Sequence, residues 1–155
     1  MHCRGSGLSP SAANVTAVER ATICLINIRR AHHRLPPLRE SSALTSIAAG
    51  QAADMVRGNY FADHSLAGRT PYERIAPALG RARVATTGQN IGWGTGWDAT
   101  PAGIVHAWMQ SPPHRRIILT RAYTQAGVGV KPLLPAVLEL PAAGATYTLD
   151  VSAPG

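Results

Sequence analysis

The stretch Gly88-Gln-Asn-Ile-Gly-Trp-Gly-Thr-Gly-Trp-Asp-Ala-Thr-Pro-Ala-Gly-Ile-Val-His-Ala-Trp-Met-Gln-Ser-Pro-Pro-His114 holds a strand and a helix in immediate succession. Residues 89–93 have strand character. Thr100-Pro101, a capping hydroxyl followed by proline at the first helical position, opens a helix through Gln110. Ile104, Val105 and Trp108 share its apolar face, and Pro112-Pro113 are expected to end it, leaving His114 just past the break. What lies on either side of this stretch fixes the fold class.

Upstream the periodicity is helical. A first helix is expected over residues 12–33, with Val15, Val18, Ala21, Leu25 and Ile28 on one stripe and Thr16-x-x-Glu19 as a capping box. Pro36-Pro37 closes it, Ser41 or Ser42 caps a second helix, and Leu44, Ile47, Ala48 and Met55 mark that helix's buried face until Gly58-Asn59. A loop then carries Tyr60-Phe-Ala-Asp-His64. Thr70-Pro71-Tyr72-Glu73 opens a third helix ending by Gly80, with Glu73 in a capping-box position. Downstream, strands are expected over residues 126–130 and 145–151, the last with Tyr147 and Leu149 alternating against Thr146, Thr148 and Asp150. Residues 131–144, with three prolines, read as a connection. Segregated helices with few strands predict an α+β layer protein, with residues 1–14 as an N-terminal strap and 15–155 as a single domain.

Composition narrows the function classes. With 45% apolar residues the 155-residue chain can bury a core. Its 15 glycines and 12 prolines stay below the roughly 25–30% that marks low-complexity chains. The best apolar run, residues 23–28, is broken by Asn27, so no transmembrane segment is expected. The net charge of +7 comes from arginines that occur singly or in the pairs Arg29-Arg30 and Arg115-Arg116. Without a stripe or a recognition motif, no specific nucleic-acid binding is expected. Cys3 and Cys24 lack zinc-ligand spacing; a disulfide between them is the favoured reading, and two free thiols in a reducing compartment the alternative. A disulfide implies export, although residues 1–10 carry no signal pattern, so the leader is expected to be absent from this chain.

The segments Asn27-Ile-Arg-Arg, Pro37-Leu38, residues 48–55, Tyr60-Phe-Ala-Asp-His64-Ser-Leu-Ala-Gly68, Gly88-Gln-Asn-Ile91, Trp108-Met-Gln-Ser-Pro-Pro-His114-Arg and Gly127-Val-Gly129, in this order and spacing, resemble the CAP superfamily of cysteine-rich secretory, antigen 5 and pathogenesis-related proteins, and most of all its short bacterial SCP-like members. The resemblance implies an α-β-α sandwich, a small antiparallel sheet between helical layers, in an extracellular or cell-envelope protein. It also implies a cleft of two histidines and two acids able to hold a divalent metal. The histidines fall on His64 and His114, whereas the acid positions fall on Gln89 and Ser111, so both acids are missing. Two imidazoles without a carboxylate would hold zinc only weakly. An amide at 89 can orient water but cannot take its proton.

Each of these residues also has a plain structural reading. His64 could sit on a surface loop, His114 could cap the fourth helix, Asp63 suits turn chemistry, and His106 should point away from the Trp108 face. Trp97, in the glycine-rich loop of residues 92–98, is the exposed aromatic best suited to a ligand. With no Gly-x-Ser-x-Gly elbow and no cysteine signature, a covalent nucleophile is missing. The leading expectation is therefore a secreted binding module for a lipid-like, cell-wall or protein partner, with no required cofactor. A degenerate metal-assisted hydrolase using His64 and His114, and a structural or adhesive envelope protein using its positive charge, are the alternatives. These motifs leave the oligomeric state open.

Overall fold

The computed structural model describes residues 2–155; Met1, the first residue of the expected strap, lies outside the described residues. Five α-helices and four strands follow in the order α1 (Val15–His32), β1 (Arg39–Glu40), α2 (Ser42–Arg57), α3 (Pro71–Leu79), β2 (Val84–Thr95), α4 (Pro101–Gln110), α5 (Pro112–Leu119), β3 (Gln125–Lys131) and β4 (Gly144–Pro154). The sheet runs β1-β3-β4-β2. β4 pairs antiparallel with both β2 and β3, and the two-residue β1 adds a parallel edge on β3. β2 forms the other edge.

The helices lie in two layers because the two sheet faces accept them in different ways, one through apolar side chains and the other through glycines. One face presents Val128, Tyr147, Leu149 and Val151 to Val18 and Ile26 of α1, Ile104, Val105 and Trp108 of α4, and Ile118 of α5. The opposite face carries Gly127 and Gly129 where α2 crosses. A Cβ at Gly127 would come within 2.1 Å of the Thr45 nitrogen, and one at Gly129 within 2.1 Å of the Ala49 nitrogen. Only glycine admits the helix backbone this close. α3 packs beside α2 and against β2. The result is a helix-sheet-helix sandwich around one mixed sheet.

Local capping sets several helix starts. Ser41 Oγ accepts from the Leu44 nitrogen at 3.2 Å, Thr70 Oγ1 from Glu73 at 3.1 Å and Thr100 Oγ1 from Gly103 at 3.1 Å. The Thr70 hydroxyl also donates to Glu73 Oε1 at 3.2 Å, so the Glu73 carboxylate serves the cap.

Three expectations need correction. The Thr16–Glu19 box does not form: α1 starts after Asn14, and Glu19 is buried, accepting instead from the Val130 nitrogen at 3.3 Å. Of the expected stripe of α1, Val18 and Ala21 are buried, but the buried face turns toward Thr22, Ile23, Ile26 and Arg30, leaving Leu25 and Ile28 partly exposed. Pro112-Pro113 ends α4 but also begins α5, because Ser111 turns extended (φ −109°, ψ 114°) and resets the chain direction. Proline is well suited to a first turn, where no amide donor is needed. The polar side of β4 is covered as well: Thr146, Thr148 and Asp150 are fully buried, with α2 packed across the strand.

The segment before α1 is tied down by a disulfide between Cys3 and Cys24, with Cys3 buried.

Candidate functional site

A cleft of about 280 Å³ opens at the β2 edge, where α4 turns into α5. Its walls are Phe61 from the loop after α2, Ile91, Gly92 and Trp93 of β2, Ile104, Ala107 and Trp108 of α4, and Ser111 and His114 at the α4–α5 junction. Two hydrogen bonds fasten the helices to the strand here. Trp108 Nε1 donates to the Ile91 carbonyl at 3.0 Å, and Asn90 Nδ2 donates to the His114 carbonyl at 3.0 Å. Trp108 also stands edge-on against Tyr147, with ring centroids 6.4 Å apart. Its indole is thus held from two directions, which makes that wall rigid.

Polar chemistry in the cleft is sparse. His114 Nδ1 and Ser111 Oγ share a hydrogen bond of 2.9 Å. Burial holds the His114 imidazole below its ordinary pKa, so the ring is neutral at pH 7. The spacing Ser111-x-x-His114 across the first turn of α5 brings the two together. His114 therefore belongs to α5 and does not cap α4.

The remaining site candidates lie elsewhere. His64 is exposed, pairs through Nδ1 with Asp63 Oδ1 at 2.6 Å and is not among the residues lining the cleft. Trp97 is 57% exposed and meets His106 edge-on, with centroids 6.2 Å apart, outside the cleft lining. Gln89 points to the α2–α3 side of the sheet, where its Nε2 donates to Asp150 Oδ1 at 2.7 Å.

That second side is a polar interior. Asp150 is fully buried, its Oδ2 has no partner among the described residues, and burial pushes its carboxyl up to about 7 against the weaker lowering by Gln89 and the Arg74 charge. Arg74 of α3 donates through Nη2 to the Asp63 carbonyl, bracing the His64 loop. Gln51 Nε2 donates to the Ala62 carbonyl at 3.0 Å, and Tyr60 OH donates to Asp54 Oδ2 at 2.5 Å. Burial, with Asp54, pushes the Tyr60 phenol up to about 12. These contacts hold the loop that delivers Phe61 to the cleft. A separate cavity of about 460 Å³ lies on this side, lined in part by Gln51, Asp54, Arg69 and Arg74.

A resident divalent metal does not fit. Among the described residues no three His, Cys, Asp or Glu side chains converge to ligate one. His114's visible partner is a hydroxyl, and Gln89 spends its amide on Asp150.

Sequence reasoning missed Phe61 and Trp93 as cleft walls, since aromatics default to core packing. It also missed Asp150 and Arg74. The alternation in residues 146–150 showed a polar strand face but could not show that a helix covers it.

The profile of the cysteine-rich secretory protein family, CAP, matches residues 24–133. The uncharacterized protein YkwD of Bacillus subtilis (strain 168) is 33% identical over 117 residues, which cover 76% of this chain and 44% of YkwD. Among solved structures, an extracellular protein containing an SCP domain from Bacillus anthracis superposes with a TM-score of 0.68 at 22% identity, covering 94% of this chain and 45% of that one. An outer surface protein from Borrelia burgdorferi superposes with a TM-score of 0.69 at 17% identity, covering 86% of this chain and 90% of that one. The chain thus spans less than half the length of YkwD and of the Bacillus anthracis protein.

Proposed function

The chain belongs to the cysteine-rich secretory protein (CAP) family, and on that premise we propose that it is an extracellular binding module whose β2-edge cleft receives the apolar part of a lipid-like molecule. The lining carries the reading: Phe61, Ile91, Trp93, Ile104 and Trp108 offer aromatic and aliphatic walls, and neutral His114 with Ser111 offers the hydrogen-bonding groups. Apolar walls with a few convergent polar groups are the usual make-up of a small-molecule site. A chain or ring buried there would gain about 25 cal/mol for each Å² removed from water. A hydroxyl or carbonyl on the ligand could meet His114 without desolvating a charge. The disulfide supports an oxidising location.

Ala107 lines the cleft while being exposed, so Ala107→Trp fills the space without disturbing the core. In titrations with a fluorescent twelve-carbon acyl probe, the wild type should bind saturably and Ala107→Trp at least tenfold more weakly. Chelator should leave both unchanged. Equal binding by the two proteins, or binding that disappears with chelator, would overturn the proposal.

A further inference from the structure

The arginines that lie far apart in sequence converge at the C-terminal end of α1. Arg30 is fully buried and has no carboxylate partner among the described residues. Its guanidinium instead donates to four carbonyls: Pro36 at 2.9 Å, Ile118 at 2.8 Å, Thr120 at 2.9 Å and Tyr123 at 3.2 Å. This planar five-donor group clamps the end of α1 to the end of α5 and to the turn leading into β3, as a lysine could not. The clamp brings two basic segments onto one surface. Arg115 Nη2 donates to His33 Nε2 at 3.1 Å, and His33 Nδ1 in turn donates to the Arg29 carbonyl at 3.0 Å. Arg121 Nη2 donates to the Arg34 carbonyl at 3.1 Å.

The surface has no internal neutralisation. Among the described residues the ion pairs are Arg57–Asp54 and His64–Asp63, so none of Arg29, Arg34, Arg115 or Arg121 has a carboxylate within 4 Å. Like charges held together this way raise the energy of the free protein, a cost that a polyanion would relieve. The arginines stay gathered because the buried clamp fixes the backbone beneath them.

We infer that this arginine face is a docking surface for a flexible phosphodiester polymer that carries no bases. Guanidinium forks suit phosphate oxygens, and the attraction is mainly electrostatic with release of counterions. Two neighbouring classes of partner fit less well. Single-stranded nucleic acid is held by stacking on aromatic side chains, and bilayers by insertion of exposed apolar ones. The exposed large apolar side chains are Leu8, Leu66, Tyr72, Trp93, Trp97, Leu133, Val137 and Leu140, and none falls within residues 29–36 or 112–121. The inference is independent of the cleft reading, because no residue is shared.

Labelled poly(glycerol phosphate) is the probe, titrated against the intact chain at 50 and 200 mM salt. Arg115→Gln with Arg121→Gln should weaken binding about tenfold at the lower salt and reduce the salt slope by about one to two. Arg57→Gln with Arg69→Gln removes the same charge from the α2–α3 side and should change affinity by no more than about twofold. Should the first pair melt before it can be titrated, Arg29→Gln with Arg34→Gln replaces it, with the same expected loss. Equal losses from patch and control pairs would overturn the inference, since net charge alone would then explain binding. So would tenfold tighter binding to DNA of the same phosphate number, or binding to phosphatidylglycerol vesicles without binding to the polymer.

Discussion

Gln89 Nε2 donates to Asp150 Oδ1 at 2.7 Å across the β2–β4 ladder, where the two residues are direct register partners. The amide is therefore the complement of a buried acid, filled on one side by the strand and covered by α2 and α3. At the position where the family resemblance leads one to expect a carboxylate, this chain holds a neutral donor, and the acid sits one strand away.

Gln89→Glu places a second carboxyl at hydrogen-bond distance from Asp150. Two buried carboxylates this close cannot both ionise, so they share a proton. The variant should lose roughly 3 kcal/mol of stability at pH 8 and much less at pH 5, where the shared proton is retained. Urea titrations at both pH values, with and without zinc, read this directly. Rescue by zinc at pH 8 would show that the extra carboxylate completes a metal site instead.

Asp150 also sets a pH dependence. Its folded pKa is raised to about 7 from an ordinary 3.8, and burial likewise raises Glu19 to about 7 from 4.5. Between these limits the folded state binds more protons than the unfolded one, so stability falls as pH rises from about 4 to about 7 and is level beyond. Asp150→Asn keeps an acceptor for Gln89 and should flatten part of that slope, while adding Glu19→Gln removes most of the remainder. Denaturation midpoints of the three proteins from pH 4 to 8 test it; parallel curves would refute the assignment.

The disulfide between Cys3 and Cys24, 21 residues apart, closes the N-terminal segment onto α1. Cys3→Ser with Cys24→Ser should lower stability by about 3 kcal/mol on the chain-entropy account. Alkylation of the native, unreduced protein should add nothing. Two alkyl groups added without reductant would show that the bond does not form in solution.

Local chemistry was legible and long-range coverage was not. The caps at Thr70 and Thr100 could be read because a hydroxyl is followed at once by a proline, and the one before α2 because serine stands at the start of the apolar periodicity, though Ser41 and Ser42 were equal candidates. Pro112-Pro113 was ambiguous, since the same pair stops one helix and starts another; only the backbone at Ser111 decides. Arg30 was legible only as half of the Arg29-Arg30 pair, yet its four carbonyl partners include three from residues 118–123. Asp150 is 61 residues from Gln89, and its burial depends on Gly127 and Gly129 admitting α2, a contact that no strand alternation reports. Within the cleft, Ser111 and His114 stood out as motif residues. Phe61 and Trp93 did not, because an aromatic beside a glycine carries no sign of which cavity it walls.

The three tryptophans make the cleft directly observable. Trp93 and Trp108 line it, and Trp97 lies outside it. In a heteronuclear NMR titration of the labelled protein with dodecanol, the indole N–H signals of Trp93 and Trp108 should shift saturably while that of Trp97 stays in place. A saturable shift of Trp97 alone, or no indole shift at saturating ligand, would contradict the cleft as the binding site.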